Sequence, residues 1–272
     1  MSLRALAEDA RAGFPSRPGT ARVRKARAAL ARALWRADGA RRLPGARELD
    51  AALAALPEEE LAWVCEFAAL GPLYLLPTQR FVNALARKLT ELGARRVVEV
   101  AAGDGFLSAA LAARLPNVEV IATDSGAWAN PAARMSAKER RRHARDAVPG
   151  VRAGAHVRRM GALQAVRSLA PDVVLASWLP PGTLLDRLIR ADVRYVLEVG
   201  AAGDVTAGGA WSWRFAHDTC EGALESSARC RLDARPAERL HSRVTLYFGR
   251  AHEEHRCERV RPGDWLWQFR PR

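Results

Sequence analysis

Two kinds of apolar pattern alternate along most of the chain. Short, almost continuous runs of Val, Ile and Leu predict buried strands at residues 96–100, 118–124, 156–160, 171–176 and 194–200. Two more strands are expected at 228–234 and 242–250, the second strongly alternating through Val244, Leu246 and Phe248. Apolar positions three and four apart predict helices at 78–92 (Phe81, Val82, Leu85, Leu89, Leu92), 106–114 (Phe106, Leu107, Ala110, Leu111) and 162–169. Strand and helix in alternation build an α/β fold, a doubly wound, mostly parallel sheet of seven strands. Residues before it read only as helix: 20–37, with Val23, Ala26, Leu30, Ala33 and Leu34 on one side, then 48–56 and 57–70. A turn at Asp38-Gly39 separates the first two, and Pro57 with the acids behind it opens the third. The expected organisation is a helical region over 1–77 and a larger domain over 78–272.

The stretch with most chemical content is Glu99-Val-Ala-Ala-Gly-Asp-Gly105, between the first strand and the helix opening at Phe106. Small residues let a ligand approach the backbone of such a turn, and the helix behind it presents unpaired N–H groups. The next strand ends in Asp124, twenty-five residues after Glu99, where a carboxylate is placed to accept hydrogen bonds from a ribose diol.

These residues resemble the class I S-adenosylmethionine (SAM) dependent methyltransferases, whose first motif runs Glu/Asp-x-Gly-x-Gly-x-Gly and whose second strand ends in an acid. Glu99 matches the leading acid, Gly103 and Gly105 the later glycines and Asp124 the ribose-binding acid; Ala101 stands where the family has its first glycine. The resemblance spans roughly residues 78–250 and implies a Rossmann-like domain with SAM as cofactor. It implies that Glu99 orients the methionine amino end, that Ala101, Gly103, Asp104, Gly105 and Phe106 line the cofactor, and that Asp124 and Ser125 hold the ribose side. Gly161 and Ala162 offer main chain to the adenine, Ser177 closes the cofactor side, and Trp128 forms a wall. Two alternatives stand beside it. A dinucleotide site wants Gly-x-Gly-x-x-Gly, and counting from Gly103 the third position is Ser108. A bare scaffold without ligand is the other.

Ser177-Trp-Leu-Pro-Pro-Gly182 follows the fourth strand, at the edge of an open sheet where reacting groups sit. It resembles the family's fourth motif without the leading Asn/Asp, which takes away the expectation of an amine acceptor. Trp178 and Pro180 are acceptor-site candidates, as is Tyr74 in the Pro-flanked loop before residue 78. For an acceptor needing deprotonation, His217 and Glu198 are the candidate bases, carried on or beside the loop after the fifth strand.

Composition adjusts this picture in three places. Apolar content of 49% over 272 residues supports a large core, no run reaches the ~18 apolar residues of a membrane span, and no export signal is read, so a cytoplasmic protein is expected. Four cysteines without a Cys-x-x-Cys pair, and a His252-Glu-Glu-His255-Arg-Cys257 tail with histidines three apart, argue for no metal. A net charge of +13 keeps a nucleic-acid acceptor open through the arginine-rich helices near 22–36 and 138–145. The charge is spread along the chain and no RNA-binding module is visible, so a small-molecule or peptide acceptor, compatible with specialised metabolism, is preferred. A non-catalytic interaction protein is the remaining alternative.

Overall fold

The computed structural model describes residues 19–56, 73–130, 150–179, 182–201, 212–226, 228–230 and 242–257. The expected helix at 57–70, the arginine-rich helix near 138–145, Pro180 and most of the loop after the fifth strand lie outside them.

The chain enters through α1 (Ala21–Leu34), started by Thr20, whose hydroxyl accepts from the Val23 N–H at 3.3 Å. The helix ends three residues earlier than its pattern suggests. Trp35 turns extended and pairs with Arg41 in a short hairpin around Asp38 and Gly39. With α2 (Ala46–Ala54), α1 closes a small core of its own: Leu30, Ala33 and Leu34 meet Leu49, Ala52 and Leu53, and Leu73 and Leu76 join from the next segment.

After β1 (Leu75–Pro77), Thr78 caps α3 (Gln79–Glu91) by accepting from Phe81 N at 3.2 Å. The expected spacing holds: Phe81, Val82, Leu85 and Leu89 are fully buried. Each contributes about 1.5–3 kcal/mol through removal from water. Next come β2 (Arg96–Val100), α4 (Phe106–Ala112), β3 (Glu119–Asp124), β4 (Arg158–Arg159) and α5 (Ala162–Leu169). Then follow β5 (Val173–Ser177), α6 (Leu184–Ile189), β6 (Tyr195–Ala201), β7 (His217–Cys220), α7 (Ala223–Ser226), β8 (Ala228–Cys230) and β9 (Ser242–Phe248).

The main sheet has seven strands in the order β4-β3-β2-β5-β6-β9-β7, a Rossmann-like α/β arrangement. β2 to β6 pair in parallel, and β9 runs against both β6 and β7. Helices cover both faces. α3 and α4 pack with Val97, Leu175 and Leu197 on one, α5 and α6 with Val98, Val174 and Val196 on the other. From β2 the chain winds outward through β3 to β4, then returns to β5 and winds the opposite way. The order therefore reverses between β2 and β5, which opens a crevice at their C-terminal ends.

The strand count agrees with expectation but one member does not. Residues 228–230 pair with β1 in a separate two-stranded sheet, and the seventh place goes to His217–Cys220. His-Asp-Thr-Cys has no strand pattern; it is an edge strand whose Asp218 and Thr219 face solvent, ordered by its ladder to β9. The third expected strand also shrinks, from 156–160 to Arg158–Arg159, because only these two pair with Thr123 and Asp124.

Candidate functional site

At the tip of β2 the chain turns through Ala101, Gly103 and Gly105, all at positive φ (52°, 55° and 74°). A methyl group at Ala101 therefore sits in the left-handed region, which costs about 1–2 kcal/mol. The neighbouring strand stitches this turn in place. Asp124 Oδ2 accepts from Gly103 N at 3.0 Å, its Oδ1 from Gly126 N at 2.6 Å, and Thr123 O from Ala102 N at 3.0 Å. One half-buried carboxylate thus clamps two backbone amides, and its remaining lone pairs are available to a hydroxyl donor.

Glu99 lies underneath, buried. Its Oε2 accepts from the Ser108 amide at 3.0 Å and the Ser108 hydroxyl at 2.5 Å, which ties β2 to the first turn of α4. Burial is the main cause that lifts its carboxyl from 4.5 to about 7, the Ser108 hydroxyl opposes, and Asp104 and Asp124 add to the rise. One oxygen of the acid to which the resemblance gives the methionine amino end is thereby engaged in the joint between strand and helix.

Asp104 occupies the outer side of the turn. Its Oδ1 accepts from Phe106 N at 3.1 Å, so the first amide of α4 is already engaged, and its Oδ2 pairs with Arg41 Nη1 at 2.5 Å. The Arg41 guanidinium carbon stands 4.0 Å from the centre of the Phe106 ring. A residue of the N-terminal helical region is thereby part of the turn's surroundings.

The glycines also serve the chain's own packing. A Cβ on Gly105 would stand 2.5 Å from His156 Nε2 and 2.6 Å from Val157, and one on Gly103 would meet Val151 at 3.0 Å. The segment 150–157 rests on the turn, with His156 Nε2 bonded to Gly105 O at 3.0 Å and Val151 N donating to Trp128 O at 3.0 Å. Trp128 itself is 43% exposed. Ser125 accepts from Ala127 N, and Gly161 and Ala162 open α5 directly after Met160, whose amide donates to Asp124 O at 2.9 Å. The structure thus gathers Ala101, Gly103, Asp104, Gly105, Asp124, Ser125, Gly161 and Ala162 around the tips of β2, β3 and β4.

On the other side of the crevice β5 ends in Ser177, and Trp178 follows at φ 57° with its amide donating to Val199 O at 2.7 Å. A bulky residue in the left-handed region is an outlier held only by its surroundings. Tyr74 stacks on it, ring centres 6.1 Å apart and planes 16° from parallel. The two aromatic acceptor candidates thus meet, because β1 is pinned to β8 just behind Tyr74.

His217 is placed elsewhere, and Glu198 lies inside the sheet, level with Val100 and Ala176. Glu198 lies within β6, fully buried and paired with Ala176 and Thr245, not on the loop beyond; its Oε2 is 3.8 Å from Arg243 Nη2. Arg243 sits over Trp213 at 5.2 Å, Trp213 stacks on His217 at 5.7 Å, and His217 tilts against Tyr247 at 5.6 Å. The two candidate bases therefore share one line of contacts. His217 pairs with Tyr247, level with Val196, so it stands toward the N-terminal ends of the parallel strands and away from the crevice.

Sequence reasoning did not find Arg41, Arg243 or the segment 150–157. Nothing local marks either arginine, since 43 basic residues are scattered through the chain. Gly154, whose missing Cβ makes room for the Asp104 carbonyl, was the one legible sign of close packing.

No family model and no curated protein matches the sequence. Solved structures similar to it include the plantazolicin methyltransferase BpumL in complex with a monoazolic desmethylPZN analog and S-adenosylhomocysteine (SAH) (11% identity, 63% of this chain and 84% of that one, TM-score 0.33). Others are a precorrin-6y C5,15-methyltransferase from Geobacter metallireducens (12%, 63% and 89%, 0.34) and the N-terminal domain of EvdMO1 in the presence of SAH and D-fucose (16%, 63% and 84%, 0.30). On its own strand order and turn geometry, the chain is a Rossmann-like α/β protein whose β2–turn–α4–β3 unit resembles that of the class I SAM-dependent methyltransferases.

Proposed function

We propose that the protein is a SAM-dependent methyltransferase acting on a small-molecule or peptide acceptor, as a cytoplasmic enzyme of specialised metabolism. The observation that carries this reading is Asp124: a half-buried carboxylate at the switch point, holding the glycine turn through Gly103 and Gly126 with lone pairs to spare for a ribose diol. When bound, the cofactor supplies an electrophilic methyl group and its own leaving group, so the protein's task is alignment and exclusion of water. Asp124 orients the nucleoside, Gly161 and Ala162 present main chain to the base, and the stacked Tyr74–Trp178 pair offers an apolar wall to the acceptor across the crevice. Strain at Ala101 and Trp178, on the two sides of that crevice, matches a site held in shape in advance.

The test is calorimetric titration with SAH, with NAD as control. Micromolar SAH binding is expected, weakened at least 100-fold in Asp124→Ala, whose melting temperature is measured in parallel. Absence of SAH binding by the wild type refutes the proposal. That outcome would favour a second reading, supported by the packing of 150–157 on Gly103 and Gly105: the turn as a structural joint in an interaction protein. Binding of a labelled RNA that falls steeply with salt would instead move the acceptor to nucleic acid.

A further inference from the structure

With Glu99 turned into the joint between β2 and α4, the outer side of the glycine turn presents different groups to a ligand. They are the carboxylate of Asp104 and the guanidinium of Arg41, side by side at 2.5 Å. Arg41 is held there from three directions. Its backbone pairs with Trp35 in the hairpin, Arg42 N donates to Leu34 O at 2.9 Å, and the segment behind is tied to α3 through Gln79 N to Pro44 O at 3.0 Å. The guanidinium lies on the Phe106 ring, which leaves its edge directed by stacking as well as by the ion pair. Its Nε is buried and has no hydrogen-bond partner among the described residues.

An anionic and a cationic group fixed next to each other complement a zwitterion, the form in which an amino-acid head carries its ammonium and carboxylate. We infer that Arg41, supplied by the N-terminal helical region, together with Asp104 holds the amino-acid end of the cofactor: the guanidinium takes the carboxylate and Asp104 the ammonium. This inference rests on the SAM reading above. The helical region is then a working part of the site, and Arg41 a binding residue that no part of the motif announces.

The experiment compares two ligands by calorimetry on the full-length protein: SAH, and 5′-methylthioadenosine, the same nucleoside thioether without the amino-acid end. Arg41→Ala is expected to weaken SAH by 10-fold or more and to change 5′-methylthioadenosine by less than twofold. Arg41→Lys should recover only part of the loss, since it keeps charge without the planar fork. Asp104→Asn, which preserves the side-chain shape at Phe106, is expected to discriminate the two ligands in the same direction and serves if Arg41→Ala folds poorly. Equal weakening of both ligands by Arg41→Ala and by Asp104→Asn makes their role structural and overturns the inference, as does unchanged SAH affinity. Failure of the wild type to bind SAH at all overturns the SAM reading and this inference with it; the first two outcomes leave that reading standing.

Discussion

The glycine turn and the β6–β9–β7 end of the sheet both concentrate buried or half-buried charge, but they satisfy it differently. Around the turn, carboxylates speak mostly to backbone: Asp124 to Gly103 and Gly126, Asp104 to Phe106, Glu99 to the amide and hydroxyl of Ser108. At the other end side chains answer side chains, with Glu198 against Arg243, and Asp186 against Arg214 and the Ser212 hydroxyl at 2.9 Å. Carboxylate–amide contacts shape a loop and leave lone pairs free, which suits a binding site. A fully covered side-chain pair such as Glu198 and Arg243 is neutralised out of reach of solvent, which suits a joint between distant segments. The Arg41–Asp104 pair at the turn, by contrast, stays partly exposed. The difference teaches that coverage sorts these acids: half-buried Asp104 and Asp124 keep lone pairs within reach of a ligand, while covered Glu99 and Glu198 belong to the scaffold.

The sharpest way to break this contrast is to remove one partner of the far pair. Glu198→Ala removes the fully buried carboxylate beside Arg243 and opens a cavity between β6 and β9, and is expected to cost about 3–5 kcal/mol, read by urea denaturation. A loss below about 1 kcal/mol would show that the pair is not a structural joint.

Glu99 sharpens the contrast on the other side. Its carboxyl is raised from 4.5 to about 7, so between those pH values the folded state binds a proton that the unfolded state has released. Stability attributable to this group is therefore greatest at or below pH 4.5 and falls as pH rises to 7, by about 3 kcal/mol in total. Glu99→Gln keeps an acceptor for Ser108 and cannot ionise. The stability of the wild type relative to this variant should drop by that amount between pH 4.5 and pH 8; equal slopes for the two proteins would remove Glu99 as the buried acid of the joint.

The smallest expected effect concerns Thr245, the fully buried neighbour of Glu198 in the β6–β9 ladder, whose hydroxyl has no hydrogen-bond partner among the described residues. Thr245→Val removes an unsatisfied polar atom with little change of shape and should stabilise the protein by about 1 kcal/mol. Destabilisation in thermal melts would mean that the hydroxyl is used.

Much of the glycine-turn region was legible along the chain, because its parts are local. β2, the turn, α4 and β3 lie within thirty residues, and each announces itself by valine runs, small residues or helical spacing. The same holds for α3, whose spacing puts Phe81, Val82, Leu85 and Leu89 on its buried face. His217–Cys220 was not legible as a strand, since an edge strand half in solvent carries no apolar alternation and is ordered by pairing with β9, about twenty-five residues later. Nor could residues 228–230 be assigned to their own sheet with β1, whose partner lies some 150 residues earlier.

By itself, the sequence determined the α/β class, the five parallel strands and the position of the turn with Asp124 behind it, because these follow from short-range periodicity and backbone preference. Only the tertiary structure decided that Glu99 turns inward, that Arg41 reaches the turn from the N-terminal helices, that Tyr74 meets Trp178, and that His217 stands away from the crevice. Apart from Glu99, whose partner Ser108 is nine residues away, those outcomes are pairings across tens to more than a hundred residues. They depend on which distant element the core packing brings alongside, and no local pattern records that.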